Sequence, residues 1–190
     1  YMLLQAITNT FVYFQQLELA QVHFGDDRAA RTGFFAQIDL YVNVLTVLVQ
    51  IFLTSRLLKW VGVGVVLATL PTISIIGFMT LGLTPTIAVL VVFLVLRRAG
   101  NFALSRPARE VLFTSIPRED KYKAKSFIDT FVYRAGDQVG AWSYAAMGWF
   151  GLAMTGISFI AAPLAGVWCV LSLWLGKKQL ALPTERVPTR

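Results

Sequence analysis

The sequence predicts an all-α, polytopic membrane protein of six transmembrane helices, and three observations carry that prediction. Hydrophobic residues make up 56% of the 190-residue chain and charged residues 14%, whereas a soluble domain carries about 25% charge. The mean hydropathy is +0.64. Apolar runs bounded by charge and turn residues divide the chain into six pieces, each close to the ~20 residues that cross about 30 Å of hydrocarbon at about 1.5 Å per residue.

The first predicted span, 2–22, begins almost at the first residue. Tyr1 is not an initiator methionine, no basic n-region precedes the apolar run and no small-residue cleavage site follows it, so the run is not a signal peptide. The chain reads instead as a fragment or a processed half of something longer. The second span, 33–55, carries a single charge, Asp39. Spans 61–83 and 151–175 carry none, and their central Pro71 and Pro163 are tolerated in a packed membrane helix, which they commonly bend. Between them, 84–106 opens on "TPT" with a proline near its first turn, and 124–149 contains "SFIDTFVYRAGDQVGAW" with Asp129, Arg134 and Asp137 set among aromatic and apolar residues. The predicted organisation is a six-helix bundle over 1–176 and a basic tail over 177–190.

The distribution of lysine and arginine orients the spans. Arg56, Lys59, Arg106, Arg109, Arg118, Lys121, Lys123, Lys125, Lys177, Lys178, Arg186 and Arg190 fall on one side, and Arg28 and Arg31 on the other. By the positive-inside rule the first side, with both ends of the chain, is expected to be cytoplasmic, in a bacterial inner membrane. The net charge of +7 therefore reports topology and lipid headgroups first. Nucleic acid is not an expected partner, because the basic loops lack an aromatic platform or a groove-reading helix.

Catalytic signatures are missing from the sequence. The single cysteine, Cys169, lies in an apolar run and reads as a small packed residue; the single histidine, His23, has no second histidine with which to build a conventional metal site. There is no nucleophile elbow, paired-cysteine motif or HExxH. No cofactor is expected.

Arg97, Arg98 and Arg134 fall within predicted spans, where charges usually face a bundle interior or an aqueous path. At about 100° per residue, Arg97, Arg98, Asn101 and Ser105 share an arc of roughly 100°. Asp39, Asn43, Thr46 and Gln50 share about 60° of their helix, and Gln5, Asn9 and Gln16 about 40° of theirs. Polar stripes on three helices point to a partly basic aqueous cavity; interhelical hydrogen bonding is the competing reading. By helical rise Arg97 lies roughly 20 Å from the end at Thr84, and Asp129, Arg134 and Asp137 about 8, 15 and 20 Å from the end near Ala124. Arg97 or Arg98 is thus expected to meet Asp129 in the third nearest the basic side. Arg134 falls near the midplane, as a contact for an anionic substrate, and Asp137 at the level of Asp39. The candidate site residues are Asp39, Asn43, Arg97, Arg98, Asn101, Asp129, Arg134 and Asp137.

A block of about forty residues adds a resemblance. "RAGNFALSRPAREVLFTSIPREDKYKAKSFIDTFVYRAGD", 98–137, is similar to the conserved block of the ATP:ADP antiporter family, or NTP/NDP exchangers, of the major facilitator superfamily. The likeness lies in Arg98 and Ala99, Pro107 with Arg109 and Glu110, Ile116 and Pro117, Glu119, Lys121, Lys123 and Lys125, Ile128 and Asp129, and Arg134 with Gly136. "SRLLKWVGVG", 55–64, resembles a degraded form of that superfamily's short cytoplasmic loop motif. The resemblance implies the C-terminal six-helix half of a twelve-helix secondary transporter that exchanges or cotransports an anionic solute by alternating access. The missing N-terminal half, or a second copy, would then be its partner. Where nucleotide carriers of the family have lysine after the glycine, this chain has Asp137, which replaces a phosphate partner by repulsion. A smaller anion, another metabolite and proton coupling through Asp137 stay open. The alternatives are a non-transporting sensor or structural half and a membrane-embedded enzyme.

Overall fold

A computed structural model describes residues 1–115 and 118–181. The described residues form six helical rods. We label them α1 (Met2–Phe24), α2 (Arg28–Val49, continuing through Gln50–Thr54 into Ser55–Trp60), α3 (Gly62–Leu83), α4 (Ile87–Gly100, through Asn101–Ser105 into Arg106–Leu112), α5 (Arg118–Phe127, through Ile128–Val132 into Tyr133–Trp149) and α6 (Met154–Ala181). Among the described residues there is no strand. The rods run past several expected boundaries: the helix expected at 33–55 extends over 28–60, and α6 continues to Ala181 into what was expected to be a tail from 177. The rest of that tail, 182–190, lies outside the described residues, as do Ile116 and Pro117 of the resemblance block.

Among the described residues four helices are long and apolar enough to cross a membrane: Arg28–Trp60, Gly62–Leu83, Ile87–Leu112 and Met154–Gln179. α1 and α5 are the more polar rods, with Gln5, Asn9 and Gln15 on the first and Asp129, Arg134 and Asp137 on the second. Beside its apolar core the bundle buries polar side chains and exposes large apolar ones. Gln5, Thr8, Gln15, Ser74, Arg97, Ser105, Ser158 and Ser172 are buried, while Leu40, Val44, Ile51, Val92, Val167 and Val170 are exposed. Polar groups find partners inside, and apolar side chains are left to face hydrocarbon.

Local chemistry sets the starts and turns. Asp27 caps α2 by accepting the Ala30 N–H at 2.9 Å, and Thr86 caps α4 by accepting that of Val89 at 3.4 Å, each satisfying a donor that the first turn leaves free. Gly25, Gly62 and Gly151 take positive φ at the connections. Pro71, buried within α3, has no N–H to give Leu67, and the Tyr1 hydroxyl stands 3.5 Å from that carbonyl.

The rods pack in the neighbour order α5, α1, α6, α3, α4, α2. Glycine permits close backbone approach at two helix contacts. A Cβ at Gly64 would stand 2.8 Å from the Cα of Gly176 where α3 crosses α6, and Cβ atoms at Gly136 and Gly140 would meet Ala6 and Thr10 where α5 lies on α1. Gly136 and Gly140 form the four-residue small-residue spacing that lets membrane helices approach backbone to backbone. One apolar core, with Phe11, Ile38, Phe78, Leu90, Phe93 and Ile157, fills the space between α1, α2, α3, α4 and α6.

Three of the rods contain a π-helical turn: Gln50–Thr54, Asn101–Ser105 and Ile128–Val132. Such turns leave the regular i→i−4 ladder. Two of them brace each other, with Thr54 Oγ1 donating to the Ala103 carbonyl at 2.8 Å and Gln50 Nε2 to that of Phe102 at 3.3 Å.

Candidate functional site

The polar stripes of α1 and α4 meet as an antiparallel ladder with a four-residue repeat. At the first rung the Tyr1 hydroxyl lies 2.7 Å from Ser105 Oγ. At the second, Gln5 Nε2 donates to Asn101 Oδ1 at 2.8 Å. The third rung is Arg97, whose Nη1 donates to Asn9 Oδ1 at 2.6 Å and whose Nη2 donates to Thr8 Oγ1 at 2.8 Å. Its Nε reaches across to Ser74 Oγ on α3 at 3.0 Å. Positions 1, 5, 9 and 105, 101, 97 share a face because four residues are close to one helical turn.

Arg97 is 5% exposed. All three of its partners are neutral oxygens, so each of its nitrogens has a hydrogen-bond acceptor while its charge is not cancelled. Among the described residues the ion pairs are Arg98–Asp39 and Lys125–Glu110. A buried guanidinium costs several kcal/mol of lost hydration, which hydroxyl and amide partners offset only in part. Asn9 links Arg97 to the next helix: its amide nitrogen donates to the Tyr133 hydroxyl at 3.0 Å, and Asn9 also borders a cavity of about 280 Å³ with Thr10, Tyr13 and Asp137. Asp137 accepts from Thr10 Oγ1 at 3.3 Å.

On the other flank of α4, Arg98 Nη1 meets Asp39 Oδ1 at 2.6 Å, with the two side chains 43% and 54% exposed. Farther along the same face of α2, Asn43, Thr46 and Gln50 border a cavity of about 510 Å³ closed on the α4 side by Phe102, Arg106 and Glu110. The Thr46 hydroxyl is buried without a partner, and the Arg106 guanidinium stacks 4.4 Å over the Phe102 ring. This wall offers amide, hydroxyl and cationic groups together.

The predicted site residues therefore divide. Arg97 and Asn101 sit in the α1–α4 ladder, Arg98 and Asp39 form a pair, Asn43 lines the larger cavity and Asp137 the smaller. Arg134 is exposed one turn before Asp137, on whose carboxylate its charge acts. The expected meeting of Asp129 with Arg97 or Arg98 is not present. Asp39 holds Arg98, neutral groups hold Arg97, and Asp129 borders a third cavity beside Arg109. The reason is the packing order: α5 lies on α1 through glycine, and α1 stands between it and α4.

Thr8, Thr10, Ser74 and Tyr133 complete the site and were not singled out in the sequence. Threonine and serine within an apolar run usually donate back to their own helix, as Ser74 and Thr8 do to Leu70 and Leu4, so nothing marked these two as acceptors for arginine. Gln16, placed on the α1 stripe by phase, gives way to its neighbour Gln15, which is buried and donates to Ser158 Oγ at 2.8 Å. Among the described residues no cluster of histidine, cysteine or carboxylate could hold a metal ion. No family model matches the chain, and no curated protein or solved structure matches it.

Proposed function

We propose that this chain is one six-helix half of a secondary transporter in the mould of the major facilitator superfamily, resembling the ATP:ADP antiporters, and that it carries a small anionic solute by alternating access. The single observation behind this reading is Arg97: a buried cation, held by three neutral partners and linked through Asn9 to a cavity lined by Tyr13 and Asp137. Ionised groups inside a membrane bundle mark solute paths, and one without a counter-ion supplies attraction that an anion can use. In this reading all six rods span, the two more polar ones because their polar faces turn toward an aqueous centre. The basic side is cytoplasmic, and a second six-helix half or a second copy forms the opposite wall.

The exposed Arg98–Asp39 pair is the exchangeable element. An anion entering beside α2 and α4 competes with Asp39 for Arg98, and its departure restores the pair. The amide and hydroxyl groups of Asn43, Thr46 and Gln50 suit the uncharged part of such a solute. Asp137, standing where nucleotide carriers have lysine, favours a smaller anion or a proton-coupled one over a nucleotide. Rocking of one half against another about a central site is the motion such a bundle supports, and the paired π-helical turns of α2 and α4 are where those rods have room to flex.

Uptake by the intact transporter in proteoliposomes tests the proposal. Arg97→Met should abolish uptake and Arg97→Lys retain a part of it, both with unchanged monodispersity. Arg134→Ala should weaken uptake, and wild-type uptake in both Arg134→Ala and Arg134→Lys would remove Arg134 from the substrate path. Uptake with full activity in Arg97→Met would end the transporter reading of this cluster. Chemical conversion of solute by the purified protein would replace it with an enzymatic one.

A further inference from the structure

The third cavity is separate from the polar centre and has a different chemistry. It encloses about 400 Å³ at the end of the bundle that carries the basic loops, between the start of α1 and the ends of α4, α5 and α6 nearest those loops. Leu3, Phe113, Ile128, Val132 and Leu175 give it an apolar lining, and Arg109, Lys178 and Asp129 border it. Arg109 is badly provided for within the protein. Its Nη1 is directed at the sulfur of Met2, a weak acceptor, and its Nε is buried without a partner. Lys178 has its ammonium 4.9 Å over the ring of Trp174. Among the described residues neither cation forms an ion pair, although Asp129 shares the cavity.

We infer that this cavity is a binding site for an anionic phospholipid, whose phosphodiester meets Arg109 and Lys178 while its glycerol and upper acyl chain lie on the apolar floor. Two cations and one carboxylate leave a net charge of +1, which matches one phosphodiester. A cavity of this size falls within the range that encloses a small organic ligand, and basic pockets between membrane helices on this side suit lipid headgroups. Exposed Trp174 at the same end belongs to a residue type that settles at headgroup level. A free phosphate shares the headgroup chemistry but would leave the apolar floor uncovered. The site does not depend on the solute reading, since none of its cations belongs to the Arg97, Arg98 or Arg134 clusters.

Native mass spectrometry of the purified protein, titrated separately with dioctanoyl phosphatidylglycerol, dioctanoyl phosphatidylcholine and inorganic phosphate, tests the assignment. Phosphatidylglycerol should bind most tightly, phosphatidylcholine more weakly and phosphate not measurably. Arg109→Gln with Lys178→Gln should weaken phosphatidylglycerol roughly twenty-five-fold, from about five-fold per cation, and phosphatidylcholine, whose choline already offsets its phosphodiester, by much less. Arg109→Lys should keep most of the preference, which separates lost charge from lost folding. Ile128→Trp, which fills the floor, should exclude both lipids. Undiminished phosphatidylglycerol binding in the double variant overturns the site, as does equal binding of the two lipids. Phosphate competing at the same concentration as phosphatidylglycerol reduces it to an ion site and overturns the lipid.

Discussion

Replacing Gly136 by alanine should separate α5 from α1 and disturb the polar centre from a distance. The new Cβ would stand 2.7 Å from Ala6 Cβ and 2.9 Å from the Leu3 carbonyl oxygen, whereas carbons rest about 3.5–4.0 Å apart. Relief needs a shift of about 1 Å between the two helices, and overpacking of this kind costs about 1–3 kcal/mol. The same shift would stretch Asn9–Tyr133 from 3.0 Å beyond the usual ~3.2 Å limit of a hydrogen bond and lengthen further the already long 3.3 Å contact of Thr10 with Asp137, so uptake should fall along with stability. Gly148 lies on the same rod with nothing within 4 Å of its Cβ position, and Gly148→Ala should be neutral or stabilising by less than about 1 kcal/mol. Because the first atom met is the Ala6 Cβ, Ala6→Gly should partly rescue Gly136→Ala, leaving the double variant about 1 kcal/mol more stable than the sum of the singles. Unfolding in mixed micelles followed by circular dichroism measures all four variants. Equal stability of the Gly136 and Gly148 variants, or strict additivity of the pair, would refute the close-approach argument.

Other consequences follow from the same geometry. Arg97→Met removes a buried charge while Ser74 and Thr8 keep their bonds to Leu70 and Leu4, at 2.9 Å each. Its stability loss in the same unfolding assay should therefore stay under about 2 kcal/mol, even where uptake is abolished. Reversing the exposed pair as Arg98→Asp with Asp39→Arg should change stability by less than about 1 kcal/mol, and uptake that survives the reversal would show that partner exchange at Arg98 is not needed. Thr54→Val removes the 2.8 Å donation to the Ala103 carbonyl and should cost about 1 kcal/mol, with faster hydrogen exchange across Asn101–Ser105 as the more specific readout. Lys125 and Glu110, 38% and 53% exposed, should contribute less than about 1 kcal/mol, so Glu110→Gln should leave the unfolding midpoint nearly unchanged at high salt.

Much of the architecture could be read before any coordinates. A hydrocarbon slab demands apolar runs of a given length, and such runs are visible in one dimension, so the all-helical class and the four most apolar helices followed from composition and punctuation. Helical phase then set which polar residues share a face: Arg97 with Asn101 and Ser105, Gln5 with Asn9, Asp39 with Asn43 and Gln50 all fall on common faces in the structure. Phase cannot say which face turns toward which. That was decided by the rotation and order of the rods, themselves governed by where glycine admits a neighbouring backbone, at Gly136 and Gly140 against α1 and at Gly64 against Gly176. Placing α1 between α4 and α5 sent Arg97 to Asn9, Thr8 and Ser74 and left Asp129 lining a cavity with Arg109, unpaired with the arginines that depth along the membrane normal alone had assigned to it. Neutral hydroxyls and amides became partners of the buried cation only once three helices converged on it. A run of sequence holds the period of one helix, whereas a site built from α1, α3 and α4 depends on their mutual azimuth, which no single run contains.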